Sequence, residues 1–313
     1  MQPRERSMLD GRLPLEVDGY RIEQSLGRGA MGEVFAARDL RHNLDVAIKL
    51  LPHARSSDPL ALERFRREGA LMERITHPNC VRVLEARTVG GIPALVLERM
   101  SGRTLESFLF DEPAPLEQVA DWVVQTLDGL AAVHDVGVLH RDVKPANCFL
   151  DFVGGVRLGD FGLARLRASG ATITSLGASV GTPLYAAPEQ LRGERVDGRA
   201  DLYSVGAMLY ALTCGVPAFH GRSLTATVVA IEREAPEPLE QRREHLPAEF
   251  VALVARAMAK RRDERFASVL NHEPAGLACS SRPARSSVSW SCPAMAPSGS
   301  GTVRVRSPSS SNS

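Results

Sequence analysis

His140-Arg141-Asp142-Val143-Lys144-Pro145-Ala146-Asn147 is the stretch that decides how this chain of 313 residues is read. It places a carboxylate at Asp142, a cation at Lys144 and an amide at Asn147 on one short polar segment. Downstream, Asp160-Phe161-Gly162 puts a second carboxylate at the end of the apolar strand Val156-Arg157-Leu158. Upstream, Val46-Ala47-Ile48-Lys49 ends a β-branched run on lysine, which is costly inside an apolar strand unless it is paired.

Working outward, the glycine-rich stretch Gly27-Arg28-Gly29-Ala30-Met31-Gly32 interrupts a strand that begins at Tyr20, and Glu33 to Ala37 resumes it. A strand, glycine turn and strand let backbone N–H groups approach phosphate closely. The same glycine spacing opens dinucleotide-binding folds, but there a helix follows the glycines. Here another strand follows, Asp45 to Leu51. Leu62, Phe65, Gly69 and Met72 recur at helical spacing and predict a helix from about Asp58 to Ile75. Glu68 lies on it, with Glu63 and Glu73 as rivals by charge for pairing Lys49. Val81–Glu85 and Ala94–Glu98 are two further strands, giving five strands and one helix.

The rest of the chain reads as helical. A helix starts at Thr104-Leu105-Glu106. A long one runs from Leu116 to Val136, with Trp122, Leu127, Leu130 and Val133 on its apolar side and Gly137 as its stop. Cys148–Leu150 and Val156–Leu158 form a short hairpin around Gly154-Gly155. Gly162 to Glu189 has little regular pattern, and a long irregular loop in a compact domain is usually functional. Leu202 to Phe219 is apolar but falls short of the roughly 20 residues a membrane span needs, so it reads as a buried helix. Phe250 to Met258 is amphipathic. After about Leu270, Ser, Pro, Gly and Arg dominate and apolar periodicity stops.

The formal charge of +1 supplies no global field toward nucleic acid or membrane. Arg64 to Arg67 and Lys260 to Arg262 read as solvated helix faces. The five cysteines show no CxxC pair and no metal-ligand spacing. They indicate a reducing compartment, and Met1 to Arg12 lacks the apolar core of a signal peptide. A cytoplasmic protein without a membrane segment is expected.

The motifs together resemble the Hanks-type serine/threonine protein kinases, bacterial ones in particular, from about Tyr20 to Phe266. The resemblance implies an α+β, two-lobed fold. A small antiparallel five-stranded sheet with one helix covers 19–98, and a larger, mainly helical lobe covers 99–270. A flexible leader over 1–18 and a disordered tail over 271–313 flank them. The family's final helix has no counterpart after Leu270.

The resemblance also assigns roles. ATP with Mg2+ (or Mn2+) would lie against Leu26, Gly27, Arg28, Gly29, Gly32, Val34, Ala47, Lys49, Glu98, Met100 and Phe149. Leu97 falls at the gatekeeper position, and Glu98, Arg99 and Met100 fall at the hinge. Asn147 and Asp160 would hold the metal, whose preference is for hard oxygen ligands. Lys49, held by Glu68, would bind the α- and β-phosphates. Asp142 would orient the acceptor hydroxyl and take its proton, and Lys144 would neutralise the transferring phosphate. Thr182 would support Asp142. Thr172, Thr174, Ser175 and Ser179 are candidate phosphoacceptors in the activation segment, with Arg141 poised to pair with the phosphate. Glu189 would pair with Arg265, Asp201 would open the core helix, and His140 and Phe161 would stack with Met72 and Leu84. The expected substrates are Ser/Thr-bearing proteins, including a second copy of the chain acting in trans. The rival readings are a pseudokinase or scaffold with a truncated large lobe, and a small-molecule kinase of the aminoglycoside type. The intact Lys49, Asp142, Asn147 and Asp160 argue against the first. Thr182-Pro183 and Ala187-Pro188-Glu189 argue against the second.

Overall fold

The structure, a computed structural model, describes residues 13–29, 32–51, 59–100, 103–110, 113–160, 183–269, 289–290 and 305–306. The amino-terminal part is a six-stranded antiparallel sheet: β1 (Leu15–Val17), β2 (Tyr20–Gly29), β3 (Gly32–Asp39), β4 (Leu44–Leu50), β5 (Val83–Val89) and β6 (Ile92–Glu98), in spatial order β1-β2-β3-β4-β6-β5. The five-strand expectation is therefore corrected by one strand. Leu15–Val17, assigned to a flexible leader, pairs with Tyr20–Ile22. The cause is the two-residue turn Asp18-Gly19, whose φ angles of +50° and +85° suit the tight antiparallel hairpin. Gly90-Gly91 turns β5 into β6 in the same way, and its Gly90 N–H donates to the Asp18 carboxylate at 2.7 Å.

The helix α1 (Pro59–Met72) packs on β5 and β6 through Phe65 and Met72. It ends three residues before the expected Ile75. A Cβ added at Gly69 would stand 2.6 Å from that of Ala86, so this position needs glycine for the helix to approach the sheet. Met72, Cys80, Val83 and Leu95 form one buried cluster with Val133 and Val138 of the carboxy-terminal part, joining the two parts by apolar contact.

The larger part contains α2 (Leu116–Asp135), the hairpin β7 (Cys148–Leu150) and β8 (Val156–Leu158), α3 (Pro188–Leu191), α4 (Gly198–Cys214), α5 (Leu224–Arg233), α6 (Leu239–Arg242) and α7 (Ala248–Ala257). The helix expected at Thr104 is instead a single 3-10 turn, Leu105–Phe108. The long helix α4 is buried on nearly all sides, as its continuous apolar run requires. Asp197 caps its start and left-handed Gly215 ends it. No helix among the described residues is long and apolar enough to cross a membrane. Of the serine-rich tail, only Ser289–Trp290 and Val305–Arg306 are described, as a pair of antiparallel strands.

Candidate active site

Strand register brings the first residues of the site together. Lys49 lies opposite Val34 on β3 and Leu95 on β6, and Ala47 lies opposite Leu97. The β2–β3 hairpin sets Gly27 against Val34, Arg28 against Glu33 and Gly29 against Gly32. Its tip, Ala30-Met31, lies outside the described residues. Leu26 is exposed, and a Cβ at Gly27 would meet nothing within 4 Å.

Lys49 is 6% exposed. Its ammonium, buried in a strand, satisfies itself on the carboxylate of Asp160. Burial raises the Asp160 pKa, but the positive charge and hydrogen bond of Lys49 outweigh it and hold the carboxyl below its ordinary value. Asp160 has φ +58°, so this carboxylate sits at a strained bend just after β8. Glu68 is half-buried on α1, next to the close-packed Gly69.

The segment before β7 is held from three sides. Asp201, 1% exposed at the start of α4, accepts from the backbone N–H of His140 (2.9 Å), that of Arg141 (2.6 Å) and His134 Nε2 (2.8 Å). Those bonds fix a backbone in which Arg141 has φ +64°. Gln190 Nε2 donates to the Arg141 carbonyl at 3.0 Å. His140 Nε2 donates to the Gly159 carbonyl at 3.0 Å, while its Nδ1 accepts from the Asp142 N–H at 3.3 Å. The ring is therefore the neutral Nε2–H tautomer, in agreement with its burial, which lowers its pKa against the opposing charges of Asp201 and Asp142.

Asp142 emerges from this frame with its carboxylate taking Lys144 Nζ at 2.9 Å. Asn147 Nδ2 donates to the Asp142 carbonyl at 2.7 Å and to its carboxylate at 3.2 Å. That orients the amide with its nitrogen toward Asp142. The Gly159 N–H donates to the Asn147 carbonyl at 2.9 Å, tying this segment to the residue before Asp160. Phe149 pairs with Arg157 across the β7–β8 hairpin, and its ring would lie 2.9 Å from a Cβ at Gly159. At the joint between the two parts, the Glu98 carboxylate binds Arg157 at 2.8 Å and the Arg82 N–H at 2.9 Å. Glu98 also spends its own N–H on the Arg82 carbonyl. Arg99 pairs with Glu23 at 3.4 Å, and Met100 is half-buried beside it.

The structure thus draws Lys49, Asp142, Lys144, Asn147 and Asp160 into one linked set. Phe161, Thr172, Thr174, Ser175, Ser179 and Thr182 lie outside the described residues. Leu84 is a correction: the expected apolar stack would bury it, yet it is 38% exposed. It is the extra residue of a bulge between the pairs Val83–Leu97 and Glu85–Val96, which turns Val83 inward in its place. Glu189 and Arg265 meet as a buried pair. His134, which binds the Asp201 carboxylate, and Gln190, which binds the Arg141 carbonyl, carry no signal in the sequence beyond their polarity.

Comparison with known proteins agrees with this geometry. The model of the protein kinase domain family matches residues 20–273. The chain is 39% identical over 254 residues to the serine/threonine-protein kinase PknB of Mycobacterium leprae, and 39% identical over 255 residues to that of Mycobacterium tuberculosis. Each match covers 80% of this chain and 41% of the relative, so the chain spans about two fifths of those proteins' length. Among solved structures, it matches the Mycobacterium tuberculosis PknI kinase domain with a TM-score of 0.63 at 29% identity. That match covers 82% of this chain and 94% of the other.

Proposed function

The chain belongs to the protein kinase family, among its bacterial Hanks-type serine/threonine members, and from that premise we propose that it transfers the γ-phosphoryl group of ATP to serine and threonine hydroxyls of proteins. The observation that carries this reading is the linked set of Lys49, Asp160, Asn147, Asp142 and Lys144 beneath a glycine-rich hairpin. On this reading the small lobe runs from β1 at Leu15 to Glu98, the earlier boundary at 19 being moved to take in β1, and the large lobe covers 99–270.

The donor set suits Mg2+ (or Mn2+). Among the described residues no group of three His, Cys, Asp or Glu side chains gathers. A carboxylate and an amide oxygen, completed by phosphate and water, are what a small hard cation takes. Asp160 and Asn147 would hold it, and it would supply charge neutralisation on the phosphates. Lys49, half of an ion pair with Asp160, would share its charge with the α- and β-phosphates. Glu68 steadies Lys49 from α1. Leu26, Val34, Ala47 and Phe149 enclose the adenine, and the backbone at Glu98 and Met100 meets its edge. Gly27, Arg28, Gly29 and Gly32 cover the phosphates. Asp142 orients the acceptor hydroxyl and accepts its proton, while Lys144 balances charge on the group in transit. The activation segment, with Thr174 and Thr182, takes part in regulation and in support of Asp142. The chain acts in the cytoplasm on protein substrates and on a second copy of itself.

Incubation with γ-labelled ATP, magnesium and a generic protein acceptor, followed by phosphoamino-acid analysis, tests the reading. Label on serine or threonine supports it. Label confined to a small molecule, or no transfer at all, rejects it.

A further inference from the structure

A cavity of about 540 Å³, lined by none of the residues around Asp142, opens between α4, the end of α5, α6 and α7. That volume is ordinary for a small-molecule site. Its apolar floor is Tyr210 from α4, Leu239 from α6, and Val251, Val254 and Met258 from α7 and its end. All but Val251 are buried. The one polar atom of Tyr210 is engaged, its hydroxyl donating to the Glu237 carbonyl at 3.0 Å.

Lys260 forms part of the cavity wall. The sequence reads it as a solvated cation, but the structure turns it inward. Arg265 pins its backbone by donating to the Ala259 carbonyl at 2.8 Å and the Lys260 carbonyl at 3.1 Å. The ammonium lies 4.1 Å from the centre of the buried Phe219 ring. It donates to the Ile231 carbonyl at 2.6 Å and to the Ala230 carbonyl at 3.5 Å. Both carbonyls belong to α5, and a helix C-terminus supplies only about half a negative charge.

The rest of the positive charge has no match. Among the described residues no carboxylate forms an ion pair with Lys260. The carboxylates that line the cavity, Glu234, Glu237 and Glu240, are all exposed, and Glu237 is taken by Arg242. Burial pushes the Lys260 ammonium down to about 8, the charge of Arg265 works in the same direction, and the opposing field of Glu234 does not prevail. Arg233, exposed at the end of α5, adds a second cation at the rim. An unmatched charge beside an apolar wall is costly, and an anion carried on an apolar body relieves it.

We propose that this cavity is a binding site for an amphipathic carboxylate, its anion on Lys260 and its apolar body along Tyr210, Val251, Val254 and Met258. The site is separate from the phosphoryl-transfer machinery and does not depend on it.

The test is titration calorimetry on the full chain without ATP, using octanoate, decanoate, decanol and decyltrimethylammonium as probes. The expected result is one saturable site that takes decanoate about tenfold more tightly than decanol, as a hydrogen bond to a charged group provides. Decyltrimethylammonium binds more weakly than either. Decanoate binds on the order of tenfold more tightly than octanoate, because two further methylenes are buried. In Lys260→Met the decanoate-to-decanol ratio falls to about one, and in Lys260→Arg it is kept. That ratio is read within each protein, so a general loss of affinity cancels. Ala255→Trp, at an exposed position of α7 that lines the cavity, weakens every probe. No saturable binding of decanoate by wild type overturns the proposal, as does equal affinity for decanoate and decanol. A carboxylate preference retained in Lys260→Met, or binding unaffected by Ala255→Trp, places the ligand elsewhere and overturns it too.

Discussion

Arg265 and Glu189 meet across 76 residues of sequence as a two-pronged ion pair, with Nη1 to Oε1 at 2.7 Å and Nη2 to Oε2 at 2.8 Å. Their side chains are 0% and 3% exposed. Arg265 also donates to the carbonyls of Arg199, Ala259 and Lys260, so one guanidinium joins α3, the start of α4 and the segment after α7. Removing either partner leaves a buried charge unmatched. Arg265→Ala and Glu189→Gln are each expected to cost about 3–5 kcal/mol in urea denaturation. The double variant is expected to cost clearly less than the sum. Losses below about 1 kcal/mol would show that the pair does not hold the large lobe.

Asp201 spends its carboxylate on three N–H donors, two of them in the backbone of His140 and Arg141. Asp201→Asn replaces one acceptor oxygen by a donor, so at least one of those bonds is lost. The segment carrying Asp142 then shifts. A misplacement of about 1 Å in a transfer reaction costs on the order of 100-fold. The expected outcome is a kcat lowered by about that factor with little change in nucleotide affinity, read from steady-state rates beside fluorescence binding.

Much of this frame is legible in the sequence. The β7–β8 hairpin lies where Gly154-Gly155 and its flanking apolar triplets place it, and α2 stops where Gly137 (φ +77°) requires. Periodicity reports such local choices well. It misses β1 because three residues are too few to show alternation, although the Asp18-Gly19 turn is the available signal. It misses the bulge that expels Leu84, because an extra residue in one strand is invisible until its partner strand is known. It also misses His134 and Gln190. Their bonds to Asp201 and to the Arg141 carbonyl span 67 and 49 residues, and nothing local marks them.

The pairing of Lys49 with Asp160 gives a prediction about charge. Burial alone pushes the Asp160 pKa up, and the ammonium of Lys49 is the foremost influence pulling it down. In Lys49→Met the burial effect is left with only the weaker field of Lys144 against it. The Asp160 carboxyl is then expected to titrate at higher pH than in wild type, followed by its carbon-13 resonance. An unmoved titration would mean that the two groups do not pair in solution.

The buried neutral ring of His140 predicts a pH dependence of stability. Its folded-state pKa is lowered by burial, so as pH falls the unfolded chain takes up the proton first. Its stabilisation is complete above about pH 6.5 and is lost as pH drops from there toward the lower folded value. Unfolding free energies measured across that window should fall with acidity in wild type, and the fall should be shallower in His140→Gln. Equal slopes would show that His140 takes no part.

The proposed convergence of Asp142 and Asp160 on one phosphoryl group is tested most directly by measuring magnesium-dependent ATP affinity and single-turnover phosphoryl transfer in wild type, Asp142→Asn and Asp160→Asn. The predicted result is that Asp142→Asn binds nucleotide as wild type does yet transfers on the order of 1,000-fold more slowly, general-base assistance being worth about 10²–10⁴-fold. Asp160→Asn is predicted to lose the magnesium-dependent part of ATP affinity. Transfer by Asp142→Asn at the wild-type rate, or ATP affinity in Asp160→Asn that responds to magnesium as wild type does, would contradict the account.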